Sequence, residues 1–65
     1  METDDVGKTL REVRRENGLT QRQLADLAGV SERTLRDIEK GRGGVSFAAV
    51  VEVASVLGLR LEATR

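Results

Sequence analysis

Two short helical segments separated by only three residues, Ala28-Gly29-Val30, constrain this chain more than any other feature. Thr20 is placed to cap the first segment, which runs through Gln21–Ala28 with Leu24, Leu27 and Ala28 on one stripe. Gly29 ends it, because glycine readily takes the left-handed conformation that closes a helix. Ser31 then caps the second segment, SERTLRDIEKG. Ala25 lies where helices joined so tightly must cross, and a larger side chain there would push them apart. The second helix is forced to project from the body of the domain, anchored from beneath by Leu35 and Ile38.

Those two residues are its only apolar positions, so Glu32, Arg33, Arg36, Asp37 and Lys40 must face water or a polar partner. A solvated surface is the ordinary reading of such a face. A projecting helix with a polar outer side also fits a DNA major groove.

The flanking segments follow helical periodicity as well. Val6, Leu10 and Val13 recur at i, i+4 and i+7, with Thr3, Asp4 and Asp5 in the capping region and Gly18 at the close. Arg14 and Arg15 in the last turn suit the helix dipole. After the GRGGV turn, Ser46 can cap FAAVVEVASVL, which ends at Gly58. Its valines favour a strand, but apolar residues at 47, 50, 51, 54 and 57 fit a helix better. Phe47, Val50, Val51, Ala54 and Leu57 are expected to face the core. Ala49, Val53 and Val56 then form a second apolar stripe, a candidate subunit interface.

The tail changes period to two, with Leu59, Leu61 and Ala63 alternating with Arg60, Glu62 and Thr64. A lone strand cannot satisfy its backbone hydrogen bonds, so residues 59–64 are expected to pair with a second copy. Centred on Leu61, an antiparallel pair sets Arg60 opposite Glu62 of the partner. The alternative is a frayed terminus.

Composition supports oligomerisation by exclusion. A 65-residue chain has a small core and usually needs reinforcement, and with no Cys and no His, disulfides and ordinary metal sites are excluded. No metal, cofactor or catalytic residue is expected, since His, Cys, Tyr and Trp are all missing and only carboxylates, Lys and hydroxyls remain for chemistry. No apolar run approaches the roughly 20 residues of a membrane span, and METDDVGK does not resemble a signal peptide, so a cytoplasmic location is expected. Net charge is zero, yet Glu2, Asp4 and Asp5 concentrate acid at the start, leaving residues 6–65 with eleven basic and eight acidic groups. The remainder is basic enough to approach a polyanion.

Gln21, Ala25, Gly29-Val30-Ser31, Leu35, Ile38 and Glu39-Lys40-Gly41 together resemble the helix-turn-helix signature of the phage-repressor and Cro-type (XRE) DNA-binding family. The resemblance extends over residues 7–58, through Arg14-Arg15-Glu16-Asn17-Gly18-Leu19-Thr20-Gln21 before the motif and residues 46–58 after it. It implies an all-α, four-helix lambda-repressor-like domain over residues 1–65, with its helix-turn-helix at 20–41 and double-stranded DNA as partner. By the same resemblance Ser31, Glu32, Arg33 and Arg36 are base-reading positions, with Asp37 a lesser one. Arg33 or Arg36 can grip guanine O6 and N7, and Glu32 can accept from cytosine N4. Thr20, Gln21, Thr34, Lys40 and Arg42 fall at phosphate-contacting positions, where Gln21 also braces the recognition helix. Glu39 corresponds to an acid that pairs with an arginine of the first helix, here Arg14.

A four-helix core followed directly by an alternating strand looks more like the HipB-type antitoxins than relatives with a fifth helix. That likeness implies a homodimeric repressor and a HipA-like kinase toxin as a further partner. The dimer interface expected is Ala49, Val53, Val56, Leu59, Arg60, Leu61, Glu62 and Ala63. The alternative is an interaction module whose main task is to sequester that toxin.

Overall fold

The computed structural model describes residues 3–59, folded as four helices: α1 (Thr3–Glu16), α2 (Gln21–Ala28), α3 (Glu32–Glu39) and α4 (Phe47–Val56). Local chemistry sets their ends. Thr20 and Gln23 form a reciprocal cap on α2, the Gln23 amide donating to Thr20 Oγ1 at 3.0 Å and the Thr20 amide to Gln23 Oε1 at 2.9 Å. Gly29 closes α2 at φ 70°, and the Val30 amide reaches back to the Ala25 carbonyl at 3.0 Å. Ser31 and Ser46 cap α3 and α4 by accepting from the amides of Thr34 and Ala49.

The core gathers Leu10 from α1, Leu24, Ala25 and Ala28 from α2, Leu35 and Ile38 from α3, and Val53 and Ala54 from α4. Ala25 is buried where α2 meets its neighbours, as the short turn requires. Each fully buried leucine or valine contributes about 1.5–3 kcal/mol relative to exposure. Helix α2 packs on both α3 and α4, while α1 packs on α3.

The α1–α3 junction depends on a glycine. A Cβ at Gly7 would collide with the Ile38 carbonyl oxygen and lie 3.0 Å from that of Glu39, so the two backbones are in contact there. Gly7, Leu10 and Arg14 share one buried face of α1.

Three expectations are corrected. Val53 is fully buried, so it belongs to the core and not to an interface stripe. Phe47, expected in the core, is 65% exposed, and Leu27 is 63% exposed although it was placed on the α2 stripe. The cause in α4 is that a helix apolar nearly all round carries no pattern to fix its rotation; packing on α2 turns Val53 inward and Phe47 outward. Ala49 is half-buried against the core, whereas Val56 is exposed.

Leu59, expected to open a strand, instead completes the end of α4. Its amide donates to the Ala54 carbonyl at 2.8 Å, past Gly58 at φ 76°, and its side chain packs against the core. No strand occurs among the described residues. Arg60, Leu61, Glu62 and Ala63 lie outside them, as does the rest of the expected pairing strand. Among the described residues no helix is long and apolar enough to cross a membrane.

Candidate nucleic-acid interface

Helix α3 divides sharply by face. Leu35, Ile38 and Glu39 are buried, while Glu32, Arg33, Arg36 and Lys40 are exposed. The exposed flank toward α2 carries an ion pair one turn long, Arg36 Nη2 lying 3.7 Å from Glu32 Oε2. Ser31 at the start of the helix is exposed, but its hydroxyl accepts from the Thr34 amide and donates to Thr34 Oγ1 at 2.8 Å. That leaves Ser31 and half-buried Thr34 engaged with each other.

Asp37 occupies the other flank and is half-buried. It lines a groove of about 320 Å³ with Val30, Thr34, Gly44, Val45 and Ala49, because the loop before α4 folds alongside α3. The same loop carries exposed Arg42, whose amide donates to the Asp37 carbonyl at 3.0 Å.

Beneath the exposed face, the three helices α1, α2 and α3 are tied by one carboxylate. Glu39 Oε2 accepts from Arg14 Nε at 2.7 Å, and Glu39 Oε1 accepts from Arg14 Nη2 at 3.2 Å and Gln21 Nε2 at 3.1 Å. Arg14 Nη1 donates further to the Leu19 carbonyl at 2.8 Å. The ion-paired side chains retain 10% and 3% of their exposure, for Arg14 and Glu39 respectively. Gln21 thus contacts the root of α3 while sitting at the first position of α2, next to exposed Thr20. The amides of Gln21 and Arg22 have no intrahelical carbonyl to bond and lie at the positive end of the helix dipole.

Sequence reasoning missed what surrounds that helix start. Arg11, Arg14 and Arg15 of α1 and Arg22 of α2 line an open groove of about 660 Å³ with Thr20, Gln21 and Glu32. Arg11 and Arg15 sit at i and i+4, a spacing that puts both on one helical face, and that repeat was the available signal. The groove continues onto α3 through Glu32, so exposed cations run from α1 across the start of α2 to the outer side of α3.

A sequence profile of the helix-turn-helix family matches residues 10–63, from the middle of α1 through the motif and beyond α4. The chain belongs to that family of DNA-binding regulators. An immunity repressor protein of Bacillus phage phi105 is 40% identical to it over 58 residues, which cover 89% of this chain and 40% of the phage protein. The chain therefore spans less than half of that relative's length. Among solved structures, the restriction-modification controller protein C.AhdI from Aeromonas hydrophila superposes with a TM-score of 0.79 at 31% identity, covering 89% of this chain and 88% of that one. A chain from a HipA-HipB-O2-O3 complex superposes with a TM-score of 0.86 over 100% of this chain and 92% of its own, at 20% identity, a likeness of fold.

Proposed function

We propose that the protein is a sequence-specific DNA-binding repressor that acts as a homodimer on a pseudo-palindromic operator. The observation that carries this reading is the division of α3 into a buried anchor and an exposed face bearing Glu32, Arg33 and Arg36, beside the arginine-lined start of α2. A helix so presented enters the major groove, where arginine is matched to guanine and a carboxylate to the cytosine amino group. Lys40, Arg42, Thr20 and Gln21 contact phosphates on either side, and Arg11, Arg15 and Arg22 extend that contact along the backbone. Similarity to a phage immunity repressor supports repression as the outcome.

Dimerisation is favoured by the apolar surface left exposed at Leu27, Phe47 and Val56, and by the alternation of Arg60, Leu61, Glu62, Ala63 and Thr64 in the sequence. Two copies would present their α3 helices to half-sites about 34 Å apart. The test is a random-site selection followed by anisotropy titration with the selected duplex. Selective binding that weakens steeply with salt is expected, and a pool with no enriched sequence refutes the reading. Sedimentation at micromolar concentration checks the dimer, which a monomer would contradict.

A second reading is an antitoxin role toward a HipA-like kinase, prompted by the fold shared with one chain of the HipA-HipB-O2-O3 complex. Its test is to read the neighbouring gene and, where it encodes a kinase, to co-express the two and measure neutralisation; a neighbour of another kind counts against the role. Neutralisation that survives removal of the charges on α3 separates that role from DNA binding.

A further inference from the structure

We propose that Glu32 and Arg36 read one G·C base pair as a single unit, Arg36 on the guanine and Glu32 on the cytosine paired to it; this rests on the DNA-binding reading above. The two side chains stand one helical turn apart on the exposed flank of α3, 48% and 46% exposed for Arg36 and Glu32, with charged atoms 3.7 Å from each other. That separation is too long for a hydrogen bond. The pair is held side by side by charge while the guanidinium keeps its five N–H donors and the carboxylate its acceptor sites.

A donor plane beside an acceptor is the complement of what one G·C pair displays in the major groove. Guanine offers O6 and N7 as acceptors, and its cytosine offers the N4 amino donor. An A·T pair in the same orientation leaves N7 to the guanidinium but opposes it with the adenine N6 donor, and it sets thymine O4, an acceptor, against the carboxylate. A·T in that orientation, and C·G, are thus penalised at both members, whereas T·A is distinguished only by its missing N7 acceptor and its methyl group. Away from a matched base pair, as when the protein rests on the DNA backbone alone, Glu32 repels the phosphates while still drawing on Arg36. Arg33, the other exposed arginine of the helix, has no ion pair among the described residues and carries no such coupling. Glu32 therefore acts as a specificity determinant whose charge opposes indiscriminate binding by the surrounding arginines, beside which it lines the groove at the start of α2.

The experiment uses the full chain and the duplex recovered by random-site selection, with each G·C pair replaced singly by A·T. Anisotropy titrations compare the parent protein with Glu32→Gln, Arg36→Gln and the double variant. Both positions are exposed, and unchanged helical circular dichroism checks that each variant is folded. At one G·C pair the parent should lose about tenfold or more on replacement, the scale of one good base contact. Glu32→Gln and Arg36→Gln should each flatten the preference at that same pair, the double variant should be no flatter than Arg36→Gln alone, and Glu32→Gln should bind unrelated duplex more tightly. Preferences relaxed at two different base pairs, or a full preference retained by Glu32→Gln where Arg36→Gln has lost it, overturn the shared readout. A parent protein with no preference among duplexes overturns the DNA-binding reading itself, a result distinct from either of these.

Discussion

Glu39 and Glu32 lie two turns apart along one side of α3, one at its buried end and one at its exposed start, and each lies within reach of an arginine. Glu39 is buried, holds Arg14 at 2.7 Å and also accepts from Gln21, so α1, α2 and α3 meet on its two oxygens. Glu32 is half exposed and holds Arg36 at 3.7 Å within its own helix. The difference is one of what each partner loses on separation. Arg14 without Glu39 is a guanidinium sealed against water, whereas Arg36 without Glu32 is simply hydrated. The buried pair fixes the angle at which α3 leaves the domain, and the exposed pair stays free to exchange partners at the surface α3 presents.

The largest expected effect comes from breaking the buried side. Glu39→Ala should destabilise the fold by about 3–5 kcal/mol, as removal of one member of a buried pair does elsewhere, and chemical denaturation monitored at 222 nm measures it. For a domain of this size each kcal/mol lowers the melting midpoint by roughly 4–8 °C. Replacing both members with apolar residues, as Arg14→Met with Glu39→Leu, should cost less than either single loss, because no buried charge is then left alone. A double variant as unstable as Glu39→Ala would mean that the hydrogen bonds to Gln21 and Leu19 matter more than the charges.

Gly7→Ala comes next. Alanine is the better helix former by about 1 kcal/mol, so on propensity alone the change stabilises α1. Contact with the carbonyls of Ile38 and Glu39 reverses the sign, since an added Cβ must push α1 off the end of α3. A net loss of about 1–3 kcal/mol is expected, the scale of overpacking a filled site. Since the shift moves Arg14 relative to Glu39, Gly7→Ala and Glu39→Ala should combine less than additively.

Gln21→Ala removes one donor from Glu39 without exposing a charge, and should cost about 0.5–1.5 kcal/mol. Its effect on DNA affinity should exceed what that stability loss explains if, as proposed above, the same residue contacts a phosphate at the start of α2.

The contrast between the two acids was partly legible in the chain. Caps at Thr20, Ser31 and Ser46 and the stop at Gly29 could be read from sequence because each is decided by a few neighbouring atoms. The narrow stripe of Leu35 and Ile38 likewise identified the exposed side of α3. Rotation of α4 could not be read, because Val53 and Phe47 are both apolar and only the surface of α2 decides which turns inward. Asp37 shows the same limit. Its position on α3 points outward by spacing alone, yet it is half-buried in a groove shared with Gly44 and Val45 of the following loop. The arginine groove went unnoticed because its members come from α1 and α2, and only their packing brings Arg11, Arg15 and Arg22 around one helix start.

The smallest expected effect on stability belongs to the exposed pair. Glu32→Gln removes an i,i+4 ion pair between two half-exposed side chains and a carboxylate from the first turn of α3. Solvent screening limits the pair to about 0.3–0.5 kcal/mol and the favourable dipole contact to a similar amount, so the midpoint should fall by only a few degrees. Even that loss should shrink as salt is raised, because both terms act at the surface. The equivalent salt titration of Glu39→Ala should leave its deficit nearly unchanged, since a buried pair is screened far less. Two deficits responding alike to salt would mean that Glu39 is wetter than its burial implies, and that the angle of α3 is less firmly held than Arg14 and Gln21 suggest.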